Sequence, residues 1–517
     1  MSDQRDSVRS NAKYLRNVRP IDPEEICEYV EGTPHPAVVR QHLRELAPER
    51  GLELIEREDG TFVPVEDDPV SPNPGAVESF PSTYSRALED LLVERYGANW
   101  HADASGNLLR STIRRFKERY LEGRPVEYDD DVATGYAIYH LPGYYAAVQY
   151  ALDDLAQRGL LGQNLRVLDV GAGVGGPALG LADYLPEDAL LEYHAIEPSA
   201  AADVLETLLA ETGRNVHTTV HRTTAEAFDP ATIVDEGRDD AFDPTAPDDG
   251  FDLVLACNVL SELEDPEAVL RRYLRTLAPD GTVLAMAPAD KNTSIQLRDL
   301  ERRLEDERVW DRADASASGG TEPLGPVTVY GPPVRLWPGE RPEDRGWSFD
   351  ARPDLETPPF QRKLEDAVPA DDPDHEPGEF VNVDVQFSYS LLRLDGTRRI
   401  DLELDTGDWA RMAEMERHVP NRIDVVAAKL SRSLSDAEEG SHGGPGGRSN
   451  PLFKISDGSE RVDHYAVVTN ETALNRPLLE ADYGDVCSFE QALALWNDDE
   501  EAYNLVVDEE TIVDRIG

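Results

Sequence analysis

Residues 165–175 read Leu-Arg-Val-Leu-Asp-Val-Gly-Ala-Gly-Val-Gly, and this run decides the fold. Leu165, Val167, Leu168 and Val170 have strand character and lead into Gly171, Gly173 and Gly175. Glycine lacks a Cβ and tolerates φ > 0, so such a turn lets the backbone approach a ligand closely. Helix-like sequence follows from Pro177 to Tyr184. A strand, a glycine turn and a helix N-terminus together build a nucleotide-type pocket. One acid, Asp169, lies inside the motif, and a second, Glu197, ends the next strand-like run, Leu190-Leu-Glu-Tyr-His-Ala-Ile-Glu197. A carboxylate at that spacing suits hydrogen bonds from ribose hydroxyls. The competing reading is a tight βα turn that binds nothing.

A dinucleotide fingerprint places its third glycine three residues after the second. Here Gly173 is followed by Gly175 and Gly176 and the run is preceded by Asp169-Val170. The pattern resembles the D/E-x-G-x-G-x-G signature of class I S-adenosylmethionine-dependent methyltransferases. That resemblance implies an α/β Rossmann-like fold, S-adenosylmethionine as cofactor, and Asp169, Gly171, Gly173, Gly175 and Glu197 at its site, with Thr224 near the adenine. Phe251 to Asn258 looks like the fourth strand and its active-site end, and Leu277 to Met286 like the turn and fifth strand. Asn258 is the candidate for touching the methyl acceptor, although it lacks an N-P-P-Y setting. Cys257 reads as a buried small residue sooner than a nucleophile, and Glu262 either braces the chain after strand four or acts as a base.

The chain has 517 residues, enough for several domains. Its formal charge of −53 is extreme, and lysine is nearly missing: Lys13, Lys117, Lys291, Lys363, Lys429 and Lys454 are the only ones. An acidic, arginine-retaining surface suits a salt-filled cytoplasm, where the Debye length falls to about 3 Å and self-repulsion is screened. Disorder is the alternative, but 40% of residues are hydrophobic and periodic segments run through the chain. Cys27, Cys257 and Cys487 lie far apart, so neither a disulfide framework nor a cysteine-only metal site follows. No apolar leader or membrane-length run is present, which leads to the expectation of a cytoplasmic protein.

Residues 1–66 read as a winged-helix-like module. Asp22 caps a first helix, Ala37 to Leu46 forms a second, and Leu52 to Val65 alternates around Asp59-Gly60 as a hairpin. Its second helix offers Arg40, Gln41 and Arg44 to nucleic acid, diluted by Glu45 and Glu49; protein docking is the equal alternative. Residues 67–81 form a linker and 82–160 a helical segment, in which the tyrosines of Tyr136 to Ala147 read as core packing. The methyltransferase-like domain spans 161–395, with Val383 to Arg393 completing its sheet. Residues 396–517 read as an OB-like β domain with a flexible Gly/Ser loop at 435–450.

In order along the chain, Tyr139-His-Leu-Pro-Gly-Tyr-Tyr-Ala-Ala, Leu168-Asp-Val-Gly-Ala-Gly-Val-Gly, Asn258-Val-Leu-Ser-Glu-Leu263, Phe387-Ser-Tyr389 and Ala481-Asp-Tyr-Gly-Asp485 resemble the methyltransferase-like small-ribosomal-subunit assembly factors. The resemblance covers roughly residues 110–490 and points to a haloarchaeal-type member. It implies a partner in the small ribosomal subunit or its precursor rRNA, with Arg114, Arg115 and Arg119 as candidate phosphate contacts, and no membrane partner. Many relatives carry cysteines before the F-S-Y strand, implying an iron–sulfur cluster. This chain has Val329 to Trp337 and Gly346 to Phe349 there, without thiolates, so no cluster and no metal are expected. Two other classes stay open: a catalytically inactive cofactor-binding assembly factor, and a small-molecule methyltransferase.

Overall fold

A computed structural model describes residues 2–30, 32–73, 75–236, 250–306, 326–337, 339–340, 347–370, 372–435 and 450–517. The expected loop at 435–450 therefore falls almost wholly outside the described residues. The chain divides into two compact units, residues 1–282 with 353–385, and residues 283–352 with 386–517. The division passes through a single long strand, Leu277–Pro288.

The first unit opens with three helices, α1 (Ser2–Leu15), α2 (Pro23–Tyr29) and α3 (Pro36–Leu46), followed by an antiparallel hairpin of β1 (Leu54–Glu56) and β2 (Phe62–Pro64). Asp22 caps α2 by accepting the Glu24 amide at 2.9 Å. Val8 and Ala12 of α1, one turn apart, are buried with Ile26, Val39, Leu43 and Phe62. The hairpin lies on the body of the unit: the Glu56 amide donates to Asn215 Oδ1 at 2.7 Å, and Ile55 and Val63 pack with Leu190.

Next come α4 (Ser82–Tyr96), α5 (Asp103–Leu121) and α6 (Asp130–Ala156). The last runs unbroken through Pro142, which has no amide hydrogen to give the carbonyl of Ile138. Buried Gln361 supplies the missing donor, its Nε2 reaching Ile138 O at 2.8 Å. Gln361 belongs to α12 (Pro359–Asp366), far along the chain.

The sheet of this unit has the order β5-β4-β3-β6-β7. Its strands are β3 (Asn164–Val170), β4 (Leu190–Ile196), β5 (Val216–His221), β6 (Phe251–Cys257) and the first half of β7 (Leu277–Pro288). Pairings β3–β4, β4–β5 and β3–β6 are parallel. The intervening helices are α7 (Gly176–Tyr184), α8 (Ala201–Leu209), α9 (Ala231–Glu236) and α10 (Pro266–Leu274). This is the doubly wound order of the class I methyltransferase fold, with the switch point between β3 and β6, where ligands bind at the carboxyl ends of the strands. Strand β7 starts at Leu277, so the turn expected around Asp280-Gly281 is part of the strand.

In the second unit, α11 (Lys291–Asp306) follows the second half of β7, and that strand continues the order β7-β10-β8. Here β8 is Thr328–Gly331 and β10 is Val385–Arg393, with β9 (Asp350–Arg352) also on β10. Strands β8 and β10 run antiparallel.

A second sheet contains β11 (Arg422–Lys429), β12 (Leu452–Ser456), β13 (His464–Val468), β14 (Val486–Asn497), β15 (Ala502–Val507) and β16 (Ile512–Arg515). Its order is β11-β12-β13-β15-β14, and β14 pairs back with β11, closing a five-stranded barrel. Only β13 and β15 are parallel among these pairs, and α13 (Arg476–Glu480) lies between β13 and β14 in the chain. Val425, Phe453, Ile455, Phe489 and Leu505 fill the interior. Among the described residues no helix is long and apolar enough to cross a membrane.

Candidate active site

At the carboxyl ends of β3, β4 and β6 lies a cavity of about 240 Å³. Gly171 and Gly173 both have left-handed backbone, φ 69° and 55°. A Cβ on Gly171 would meet Val259 Cγ2 at 2.4 Å, so glycine here lets the chains after β3 and β6 close together. The amide of Gly173 donates to Glu197 Oε2 at 2.8 Å, and the other carboxylate oxygen accepts from the Ser199 amide at 2.9 Å and hydroxyl at 2.5 Å. Three donors thus hold a buried carboxylate at the tip of β4, beside the turn.

Of the residues anticipated from sequence, Gly171, Gly173, Glu197, Thr224 and Asn258 line this cavity together. Asp169 and Gly175 are not among its lining residues. Asp169 is fully buried behind the loop and accepts a short hydrogen bond from Tyr193. Burial raises its carboxyl to about 7, with the Glu197 charge adding to the effect against the Tyr193 bond. Its part is to brace β3 against β4. Gly175 caps the start of α7, and a Cβ there would run into Leu205 Cδ1 at 2.6 Å, so its smallness serves packing against α8.

Thr224 belongs to a turn pinned from outside: Ala225 O accepts from the Tyr273 hydroxyl at 2.9 Å and from the Arg272 guanidinium, both on α10. Asn258 has φ 60°, a conformation asparagine tolerates better than most side chains, directly after β6. Cys257 lines the cavity too, and burial pushes its thiol well above the ordinary range, so it stays protonated and un-nucleophilic.

Four further lining residues complete the wall: Tyr128, Tyr136, Tyr144 and Glu262. The Tyr128 hydroxyl donates to Glu262 Oε1 at 3.0 Å. Glu262 is open to solvent along the cleft, yet crowding by the cleft walls raises its carboxyl to about 7, and the Glu197 charge pushes the same way. Tyr136 and Tyr144 stand two turns apart on α6, their hydroxyls 3.4 Å from one another, with His140 stacked on Tyr144 between them. Burial lowers His140 to about 3, keeping it a neutral ring. The tyrosines expected to be plain core thus form one wall of the cavity; their i, i+4, i+8 spacing with His140 was the available signal.

Of the arginines expected to reach nucleic acid, Arg40, Arg44, Arg114 and Arg119 have partners within the fold. Arg44 meets Glu56 at 2.5 Å and Arg40 lies 3.7 Å from the same carboxylate. Arg114 contacts Glu379 at 2.6 Å and Asp372 at 3.2 Å. Arg119 donates to Pro125 O at 3.1 Å, while Arg115 is exposed. Cys27, Cys257 and Cys487 are all buried free thiols, and no group of three or more His, Cys, Asp or Glu is placed to hold a metal ion among the described residues. Trp337 donates to Asp457 at 2.9 Å and Trp347 to Ala289 O at 2.9 Å.

Residues 168–283 match the family model described as a methyltransferase domain. Residues 5–58 and 413–516 match the N-terminal and C-terminal domains of a family of unknown function, DUF8157. No curated protein matches the chain. Similar solved structures include the YcgJ protein of Bacillus subtilis, 22% identical, covering 30% of this chain and 59% of that one, TM-score 0.18. A S-adenosylmethionine-dependent methyltransferase from Clostridium acetobutylicum is 12% identical over 28% of this chain and 50% of its own, TM-score 0.20. The plantazolicin methyltransferase BpumL in complex with SAH is 15% identical over 42% and 67%, TM-score 0.21. The chain thus spans between half and three fifths of the length of the first two. It contains a methyltransferase domain of the class I Rossmann-like fold, flanked on each side by a domain of a second family.

Proposed function

We propose that the protein is an S-adenosylmethionine-dependent methyltransferase. The observation that carries this is Glu197, a carboxylate at the tip of β4 held by the Gly173 amide and by Ser199 at the edge of the cavity. Lining residues that include Glu197, Glu226 and Glu262 but no lysine, arginine or histidine fit a ligand with hydroxyls and a positive centre. Glu197 would hold the ribose hydroxyls and the turn of Thr224–Glu226 the base. S-adenosylmethionine supplies a methyl group on a sulfonium when bound. The chain's own work is positioning, and Asn258, at the end of β6, is the residue that orients the acceptor.

The acceptor we propose is RNA of the small ribosomal subunit or its precursor. Support comes from the ordered sequence motifs and from the modules before and after the methyltransferase domain in the chain. Three helices and a hairpin precede it, as in winged-helix folds. The barrel order first-second-third-fifth-fourth-first, with a helix between third and fourth strands, resembles that of OB folds and supports this reading. Titration calorimetry of the full chain with S-adenosylmethionine in molar KCl tests the cofactor. Mass spectrometry of rRNA nucleosides from a deletion strain tests the acceptor: one methylated nucleoside should disappear, and an unchanged profile counts against it.

A further inference from the structure

Resting on the cofactor reading above, the geometry points to a second property: the wall formed by Tyr128, Tyr136, Tyr144 and Glu262 is a cation-selecting wall, which we infer makes the site prefer the sulfonium cofactor to its neutral thioether product.

The strand order supplies the direction. Strands run β5-β4-β3-β6, so Thr224 after β5 and Glu197 after β4 lie toward one side of the cavity, and Asn258 and Glu262 after β6 toward the other. A base and ribose held on the β5–β4 side leave the β3–β6 side for the sulfur. Three tyrosines line the cavity in a continuous aromatic series that reaches this side through the Tyr128 hydroxyl on Glu262. Tyr128 and Tyr136 have ring centroids 5.5 Å apart at 79°, and Tyr136 and Tyr144 lie 6.1 Å apart at 50°. All three are half-buried. The Tyr128 hydroxyl fixes Glu262 at 3.0 Å.

Aromatic rings attract onium ions through their quadrupole, and carboxylates attract them directly; a neutral thioether of nearly the same shape receives neither benefit. The groups that share the cleft with Glu262 are Tyr128 from the segment before α6, Tyr136 and Tyr144 from α6, Glu197 from β4 and Cys257 from β6. None of them carries a positive charge that would offset this preference.

The test is calorimetry on the full-length protein in molar KCl with S-adenosylmethionine, S-adenosylhomocysteine and sinefungin, whose amine supplies a positive charge near the sulfonium position. S-adenosylmethionine and sinefungin should bind about tenfold more tightly than S-adenosylhomocysteine. Tyr136→Phe should keep the preference and Tyr136→Leu should shrink it, and E262Q should reduce it several-fold. In each variant the affinity for S-adenosylhomocysteine should stay within about twofold, which also shows that the site is folded. A second readout is protonation. Glu262, raised to about 7 in the open cleft, should release a proton when a cation arrives, so the heat should change between phosphate and Tris for S-adenosylmethionine and sinefungin but not for S-adenosylhomocysteine. Equal affinities for the charged and neutral ligands would overturn the cation wall and leave the cofactor reading standing. Failure of all three ligands to bind would overturn both.

Discussion

The amide of Gly173 and the carboxylate of Glu197 meet at 2.8 Å, joining the glycine turn after β3 to the tip of β4. This bond orients the acid, and it exists only because the turn adopts φ 55° at Gly173. Gly173→Asp puts a second negative charge beside Glu197 and forces a side chain into left-handed backbone, at a cost of roughly 1–2 kcal/mol before any repulsion. S-adenosylmethionine affinity should fall by at least about a hundredfold in calorimetry. Undiminished binding would remove the turn from the site.

Asp169 gives a pH prediction. Its carboxyl is raised from 3.8 to about 7 in the folded chain. Below pH 4 it is protonated in both states and costs nothing. As pH rises through 4 to 7 the unfolded chain ionises first, so folding stability is lost over that window, on the order of 2–4 kcal/mol. Asp169→Asn keeps an acceptor for Tyr193 and removes the ionisation. Thermal unfolding of the variant should match the parent at pH 4 and exceed it at pH 8; identical curves at both would contradict the assignment.

Helix α7 rests on α6 through glycine. A Cβ at Gly180 would lie 2.4 Å from Tyr145 O and from Val148 Cγ1. Gly180→Ala should therefore destabilise the fold by about 1–3 kcal/mol, read as a lower urea midpoint at constant slope. A neutral result would mean that the helices part more easily than their packing indicates.

Salt dependence follows from the charge of −53. Moving from 1 M to 0.1 M KCl lengthens the Debye length from about 3 Å to about 10 Å and restores repulsion among surface carboxylates. The melting temperature should drop steadily over that range, and a flat profile would separate the acidity from any salt adaptation.

For the ribosomal proposal, tagged protein should co-sediment with small-subunit precursors in salt-matched gradients. Protein that stays at the top of the gradient and methylates a soluble metabolite would replace RNA with a small acceptor.

Which parts were legible in the sequence follows from how local each signal is. The glycine turn, Glu197 and Asn258 are adjacent to strand ends, and a pattern of strand, glycines and acid encodes them within a few residues. The role of Asp169 depended on a partner, Tyr193, on the next strand, and nothing in the motif distinguishes an acid facing the ligand from one facing the sheet. Tyr128 and Glu262 lie 134 residues apart, so their pairing is a product of topology alone. The same holds for the arginines. A basic helix face looks free until the fold brings Glu56 to Arg44, or Glu379 to Arg114. The passage of α6 through Pro142 likewise required Gln361, a donor that no local pattern announces.

The hairpin of the N-terminal module is fastened to the methyltransferase sheet by the Glu56–Asn215 bonds and by Ile55 and Val63 against Leu190. Leu190 opens β4 and Asn215 precedes β5, so the module is fixed at the amino ends of these strands, away from the carboxyl ends that shape the cavity. A ligand of the module would therefore be held about one strand's length from the cavity.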